Sequence, residues 1–247
     1  MTMPVRLAGL ATEFHLNLAI LQARMSSTRL PGKVLEPILG QPMIARQVER
    51  LRRSARLDAL VVATSLEPSD DPVAAWARSA GVSVHRGALN DVLERFCGVL
   101  AAWPQARAVV RLTADCPLAD WTVIDELLDL HRAQAADYSS NVLPERTFPH
   151  GLDAEIVTPE ALLAAHGETT DPYDREHVTP FVYRRPERFR TASLTRSPSL
   201  AHLRWTVDLP SDLAFVRQVY GALYPTRPDF GSEDVVALNC NSAPIPA

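Results

Sequence analysis

The segment LQARMSSTRLPGK, residues 21–33, sets Arg24, Arg29 and Lys33 among small hydroxyl residues directly after an apolar run. Three cations on one short loop are the makings of an anion cradle, with a phosphate group as the natural guest. The loop is not a P-loop, which needs two glycines with four residues between them followed by Lys-Ser/Thr; here a single Gly precedes Lys33 and Val34 follows it. Of 25 basic residues Lys33 is the only lysine. A compact ammonium reaches phosphate oxygens differently from a planar guanidinium, which favours the phosphate reading. As a loop residue, Lys33 is expected to have little core role.

Two aspartates complete the chemistry. Asp115 follows the strand-like AVVRLT (108–113), and Asp208 follows LRWTV (203–207). Ligands of open α/β sheets sit outside the carboxyl ends of strands, so both carboxylates are expected in the crevice that holds the basic loop. Either could instead cap the next helix, although Asp120 and Ser211 are better placed as caps. Two carboxylates can hold Mg²⁺, which would neutralise a triphosphate. Arg24, Arg29 and Lys33 would then stabilise charge developing on a leaving diphosphate.

These residues need a sheet to hold them, and the pattern predicts one. Strands are expected at 17–22, 59–64, 82–86 and 108–113, alternating with helices at about 42–53, 70–81, 90–101 and 120–134. That alternation implies an α/β fold with a central mixed, mostly parallel sheet flanked by helices. Beyond residue 135 the pattern loosens, with short strands at 137–141, 153–158, 189–194 and 203–207 and helices near 159–166, 174–184, 210–222 and 232–239. The stretch 141–153, with Pro144, Pro149 and Gly151, reads as a loop near the site. Residues 1–16 read as a flexible extension and 17–247 as one domain.

A net charge of −4 argues against broad nucleic-acid binding, so a polyanionic ligand must be met by local cations or metal ions. No run is long enough to span a membrane. Cys97, Cys116 and Cys240 are odd in number and lack metal-ligand spacing, which suits free thiols in the cytoplasm and gives covalent catalysis no support.

The motifs LQARMSSTRLPGKVL, RGALNDVLERF, VVRLTADCPL, SSN, FPHGLDAEIV, EHVTPFVY and LRWTVDLPSDL occur in an order that closely resembles the SpsF-like cytidylyltransferases, relatives of the CMP-sialic acid and CMP-Kdo synthetases. The resemblance runs from about residue 17 to 240. It implies a nucleotide-diphospho-sugar transferase-like fold whose first loop wraps CTP through Leu21, Ala23, Met25 and Ser26, with Arg24, Arg29 and Lys33 on the phosphates. Thr113 and Asp115 would face the nucleotide, and Asp115 and Asp208 would match the magnesium-binding aspartates of the synthetases. The implied reaction is attack by an acceptor hydroxyl on the α-phosphorus of CTP, releasing diphosphate, with Arg24, Lys33, Asp115 and Asp208 carrying catalysis. A homodimer is also implied. RGALNDVLERF stands in place of a longer base-recognition segment. Arg86 and Asn90 are candidates to read the base and Asp91 to hold the ribose, while Arg95 reads as a surface or helix ion-pair residue.

Acceptor candidates come from the irregular half: Asn141, His150, Asp153, Glu155, Glu176 and His177. GLDAEIV alternates apolar residues with Asp153 and Glu155, placing both acids on one strand face. His177 could take a proton from a sugar hydroxyl; His131 and His202 read as structural. Two other classes remain at this point. A glycosyltransferase consuming an activated sugar often carries an Asp-x-Asp pair, absent near Asp115, and a silent nucleotide-binding protein would have no need of the intact loop and its aspartates.

Overall fold

A computed structural model describes residues 16–241. Its spine is a seven-stranded sheet in the order β5-β4-β1-β6-β8-β7-β9. The strands are β1 (Leu16–Gln22), β4 (Ala59–Ser65), β5 (Ser83–Gly87), β6 (Ala106–Thr113), β7 (Tyr138–Ser140), β8 (Glu155–Val157) and β9 (Thr191–Ser193). β1 pairs in parallel with β4 and β6, and β8 runs antiparallel between β6 and β7. Leu18, Ala19, Ile20 and Leu21 in β1 are all fully buried. A strand covered on both faces has no solvent side, which is why its sequence reads as a continuous apolar run.

The period of two divides that run between two cores. Ala19 and Leu21 pack on one face with residues of α1 (Met43–Leu51), α2 (Asp71–Ser79) and α4 (Trp121–Ala133). Leu18 and Ile20 pack on the other with α3 (Val92–Ala102), α5 (Pro159–Glu168) and α7 (Pro180–Tyr183). A third cluster, around Trp205, Tyr220 and Phe230, seats α8 (Pro210–Leu223) and α9 (Ser232–Asn241).

The chain departs from its sequence pattern in four places. Leu16 belongs to β1; the rest of the expected extension lies outside the described residues, as does the Cys240 side chain. A small hairpin, β2 (Pro37–Ile38) and β3 (Gln41–Pro42), turns through Leu39 and Gly40, both at positive φ, as a tight two-residue connection requires. The helix expected over 174–184 is two: α6 (Pro172–His177) and α7, separated by Val178 at φ 75°. Pro180 has no N–H to continue α6 and starts α7 instead. The strand expected at 203–207 is an extended segment with one bridge, His150 to Arg204, because no neighbouring strand runs alongside it.

Candidate active site

β1 and β6 end together, Gln22 opposite Thr113, and the chain leaves each into the same crevice. This is the switch point of the sheet: the strands after β1 build outward through β4 and β5, and β6 returns to its other side. The loop leaving β1 is fixed from below. Met25 N–H donates to Asp70 Oδ1 at 2.7 Å, and the Met25 carbonyl accepts from Ser27 and Gly32 N–H, both at 2.9 Å. Gly32 sits at φ 74°, where a side chain would be strained and its Cβ would crowd Met25. Arg24, Ser26, Thr28 and Arg29 are left exposed on the loop's surface.

Lys33 turns inward and is only 8% exposed. Its ammonium donates to Val207 O at 2.6 Å, to Asp208 Oδ1 at 3.0 Å and to Asp115 Oδ2 at 3.3 Å. The expectation of a lysine with little core role is therefore corrected: it ties the first loop to two others, and each of its three N–H bonds has a partner. Asp208 is also met by Arg29 at 3.0 Å and Arg204 at 2.6 Å. Burial opposes its ionisation, but Lys33, Arg204 and Arg29 outweigh this and hold its carboxyl below the usual 3.8. Asp115 Oδ1 accepts from the Thr113 hydroxyl at 2.6 Å.

Asp208 is not the cap of α8. Asp212 reaches back and accepts the N–H groups of Asp208 and Leu209 at 2.8 and 2.9 Å, so the helix start is served by Asp212 and not by Ser211. Asp120 does cap α4, accepting from Thr122 N–H at 2.9 Å.

Three cavities meet here. The first, about 290 Å³, lies under the loop and is lined by Arg24, Arg29, Lys33, Thr113, Asp115 and Asp208. The second, about 140 Å³, shares Gln22 and Arg24 with it and reaches Val92, Arg95, Arg111 and His177. The third, about 260 Å³, shares Thr113 with the first and is walled by Arg111, Asp153, Glu155, Tyr173, His177 and Thr179.

Cations outnumber carboxylates in the first cavity, which therefore suits an anion. Its donor set also fits Mg²⁺ on one condition. This ion binds through one or two carboxylates plus phosphate oxygens and water, and among the described residues no group of three or more His, Cys, Asp or Glu gathers as a metal site. The Asp115–Asp208 pair is thus suited to the ion in company with a phosphate able to draw Lys33 away.

Several candidates stand apart from these cavities. Leu21 is fully buried core; Ala23, whose N–H is held on Ala63 O, does line the first and second cavities. Arg86 donates to Ser65 O, Glu67 O and Asp71, tying β5 to the 65–71 turn, so its guanidinium is committed away from the crevice. Asn90 is exposed, lining none of the three cavities. Asp91 caps α3 through Glu94 N–H and accepts from Arg175 Nε at 2.6 Å, a brace between α3 and α6. Asn141 is buried as a clip, its amide joined to Leu152 O and Ala154 N–H. His150 exchanges main-chain bonds with Leu203 and Trp205, and burial and Arg146 push its imidazole below the usual range.

Asp153, Glu155 and His177 do meet in the third cavity, and Glu176 and His177 in the second. Asp153 precedes β8 and is held by both Arg146 nitrogens, at 2.6 and 2.8 Å. Glu155 accepts from Arg111, from Tyr138 Oη at 2.6 Å and from Thr179 Oγ1 at 2.6 Å. His177 packs against Tyr173 with ring centroids 4.2 Å apart and the rings tilted at 53°. Gln22, Arg95, Arg111 and Arg204 were not foreseen as site residues. Arg111 had a signal, a charge two residues before Thr113 on the same face of an apolar strand. Cys97 and Cys116 are free, and burial pushes the Cys97 thiol up to about 12, far from a nucleophile's range.

An open α/β sheet with a basic loop at its switch point, and with Asp115 past β6 and Asp208 past the extended 203–207 segment facing one polar cavity, is the architecture of a nucleotidyltransferase. The chain belongs to the cytidylyltransferase family, whose sequence profile matches residues 18–219. It is 32% identical over 231 residues to spore coat polysaccharide biosynthesis protein SpsF of Bacillus subtilis, covering 90% of this chain and 92% of that one. It is also 32% identical over 227 residues to 3-deoxy-manno-octulosonate cytidylyltransferase of Chlamydia trachomatis serovar A, covering 81% and 83% of the two chains. A solved cytidylyltransferase from Leptospira borgpetersenii superposes with a TM-score of 0.85 at 29% identity, over 94% of this chain and all of that one. The protein is an enzyme of CTP-dependent nucleotidyl transfer. Among the described residues no helix is long and apolar enough to cross a membrane.

Proposed function

We propose that the chain transfers CMP from CTP to a hydroxyl of a sugar, sugar acid or related acceptor, releasing diphosphate, in a Mg²⁺-dependent reaction. The observation that carries this is the cluster of Lys33, Arg29, Asp115 and Asp208 on one wall of the cavity under the loop. The triphosphate occupies that cavity, with Arg24 and Arg29 on its exposed side and Lys33 below. Asp115 and Asp208 would hold Mg²⁺, which supplies charge neutralisation at the phosphate oxygens.

The acceptor lies in the cavity around Glu155 and enters the crevice past Thr113. Its oxygen attacks the α-phosphorus; the bond to the β-phosphate oxygen breaks, and diphosphate leaves carrying the electron pair. Arg24, Arg29 and Lys33 hold the charge that grows on that leaving group. His177, exposed and lining the acceptor cavity, is the candidate to take the hydroxyl proton. Surface polysaccharide or glycan synthesis is the role we infer, supported by the name of the Bacillus relative, in a cytoplasmic homodimer.

The test is diphosphate release from CTP, UTP, ATP and GTP with Mg²⁺ and a panel of sugars, sugar acids and phosphorylated acceptors. CTP-dependent release with at least one acceptor is expected. Turnover of the other nucleotides without CTP would sink the proposal.

A further inference from the structure

The cavity around Glu155 has one guanidinium in its lining, Arg111, and two carboxylates, Asp153 and Glu155. None of these charges is free. Arg111 Nη1 donates to Glu155 and its Nε is buried without a partner, so neither nitrogen is offered to a guest. Glu155 accepts from the Tyr138 and Thr179 hydroxyls as well, so three protein donors satisfy its two oxygens. Asp153 is held by both Arg146 nitrogens and by Gly151 N–H at 3.2 Å. Other cations are committed or elsewhere. Arg184, 4.8 Å above the Tyr173 ring, pairs with Asp174, and Arg24 lines the other two cavities but not this one.

A guest bearing a carboxylate or a phosphate would therefore enter a space whose lining holds more negative than positive charge, and like charges side by side are strongly unfavourable. If it drew Arg111 to itself, Glu155, with a side chain only 14% exposed, would keep two neutral hydroxyl donors for a full charge, the costly half of a broken ion pair. His177 gives no relief, because a residue placed to take the hydroxyl proton must be neutral when the acceptor binds. An uncharged guest meets none of these penalties. Its hydroxyls can donate to Asp153, whose side chain is 38% exposed, and its apolar ring face can lie on Tyr173 or Tyr183, whose rings line the same cavity.

We propose that the acceptor is an uncharged sugar, with neither carboxylate nor phosphate on the part the cavity encloses, and that Glu155 and Asp153 exclude acids by neutralising Arg111 and Arg146. This rests on the CMP-transfer reading of the site and narrows its acceptors to one class.

The experiment is diphosphate release from CTP with Mg²⁺ for matched sugars: hexoses and 2-acetamido-hexoses, each beside its 6-carboxylate and 6-phosphate counterpart, together with a 2-keto sugar acid. For the wild type, kcat/KM is expected to be at least about 10-fold higher with a neutral sugar than with its charged counterparts. Glu155→Gln, checked for folding by thermal melting, is expected to shrink that ratio by about 10-fold, the KM for acids falling as Arg111 is released. A purely structural loss would lower both members of each pair alike and leave the ratio standing. If Glu155→Gln does not fold, Asp153→Asn on the more exposed acid is read in its place, since it releases Arg146 in the same way. Preference for the acids in the wild type, or a ratio unmoved in the folded variant, overturns the inference. CTP that binds in calorimetric titration while no neutral sugar is turned over also overturns it, and leaves the reading of the site intact. A chain that binds no CTP overturns that reading, and this inference with it.

Discussion

In the cavity under the 23–33 loop, Arg24, Arg29 and Lys33 face only Asp115 and Asp208, and Arg24 has no ion-pair partner among the described residues. In the neighbouring cavity the charges are matched: Arg111 in its wall lies on Glu155, and Asp153 is gripped by Arg146, which stands outside the lining. The first region is incomplete until an anion arrives. The second is closed in charge and must choose its guest by shape and hydroxyl hydrogen bonding. The two meet at Thr113, which lines both the cavity proposed for the nucleotide and the one proposed for the acceptor.

Removing a charge should therefore act differently on the two sides. The largest effect is expected for Lys33→Met, which leaves two carboxylates and the Val207 carbonyl without their shared donor. CTP-dependent turnover should fall by about 10²-fold or more. The melting temperature should fall as well, because Lys33 is buried among three partners; an unchanged melting curve would return it to the status of a surface loop residue.

Asp115→Asn and Asp208→Asn come next, each expected to lower turnover by at least about 10-fold. The double variant should lose much less than the product of the two, because both act in one assembly. Extra Mg²⁺ should partly rescue the weaker variant. Asp212→Ala sharpens the contrast: Asp212 sits in the first turn of α8 and accepts the N–H groups of Asp208 and Leu209, so the variant should lose about 1 kcal/mol of stability and retain turnover.

On the acceptor side, Glu155→Gln weakens a part-buried pair with Arg111 and is expected to destabilise the fold by about 1–2 kcal/mol in denaturant titration. CTP affinity should change little while the acceptor KM rises. The smallest effect belongs to Arg146 and Asp153. Asp153 is more than a third exposed, and a double-mutant cycle on stability should give a coupling below about 1 kcal/mol.

The nucleotide side was the more legible in sequence because its parts are local. An apolar run that ends in a basic loop, and an acid just past a strand, are patterns within a dozen residues. What stayed hidden depends on distance along the chain. Lys33 meets Asp115 across 82 residues and Val207 across 174, so its burial has no local signature. Arg95 shows the same limit. A charged position on a helix reads as solvated, yet here the end of β5 closes over its stem. In the irregular half the acids of GLDAEIV were visible, but not their partners. Arg146, Thr179 and Tyr138 come from three other segments, and the break at Val178 that sets Thr179 against Glu155 looked like a continuous helix.

The most direct test of the account is a crystal structure with CTP and Mn²⁺ in place of Mg²⁺. The account predicts the triphosphate in the cavity under the loop, in contact with Arg24, Arg29 and Lys33, and an anomalous Mn²⁺ peak beside Asp115 and Asp208. Nucleotide density elsewhere, or CTP bound while Lys33 still bridges the two aspartates and no metal peak stands beside them, would contradict it.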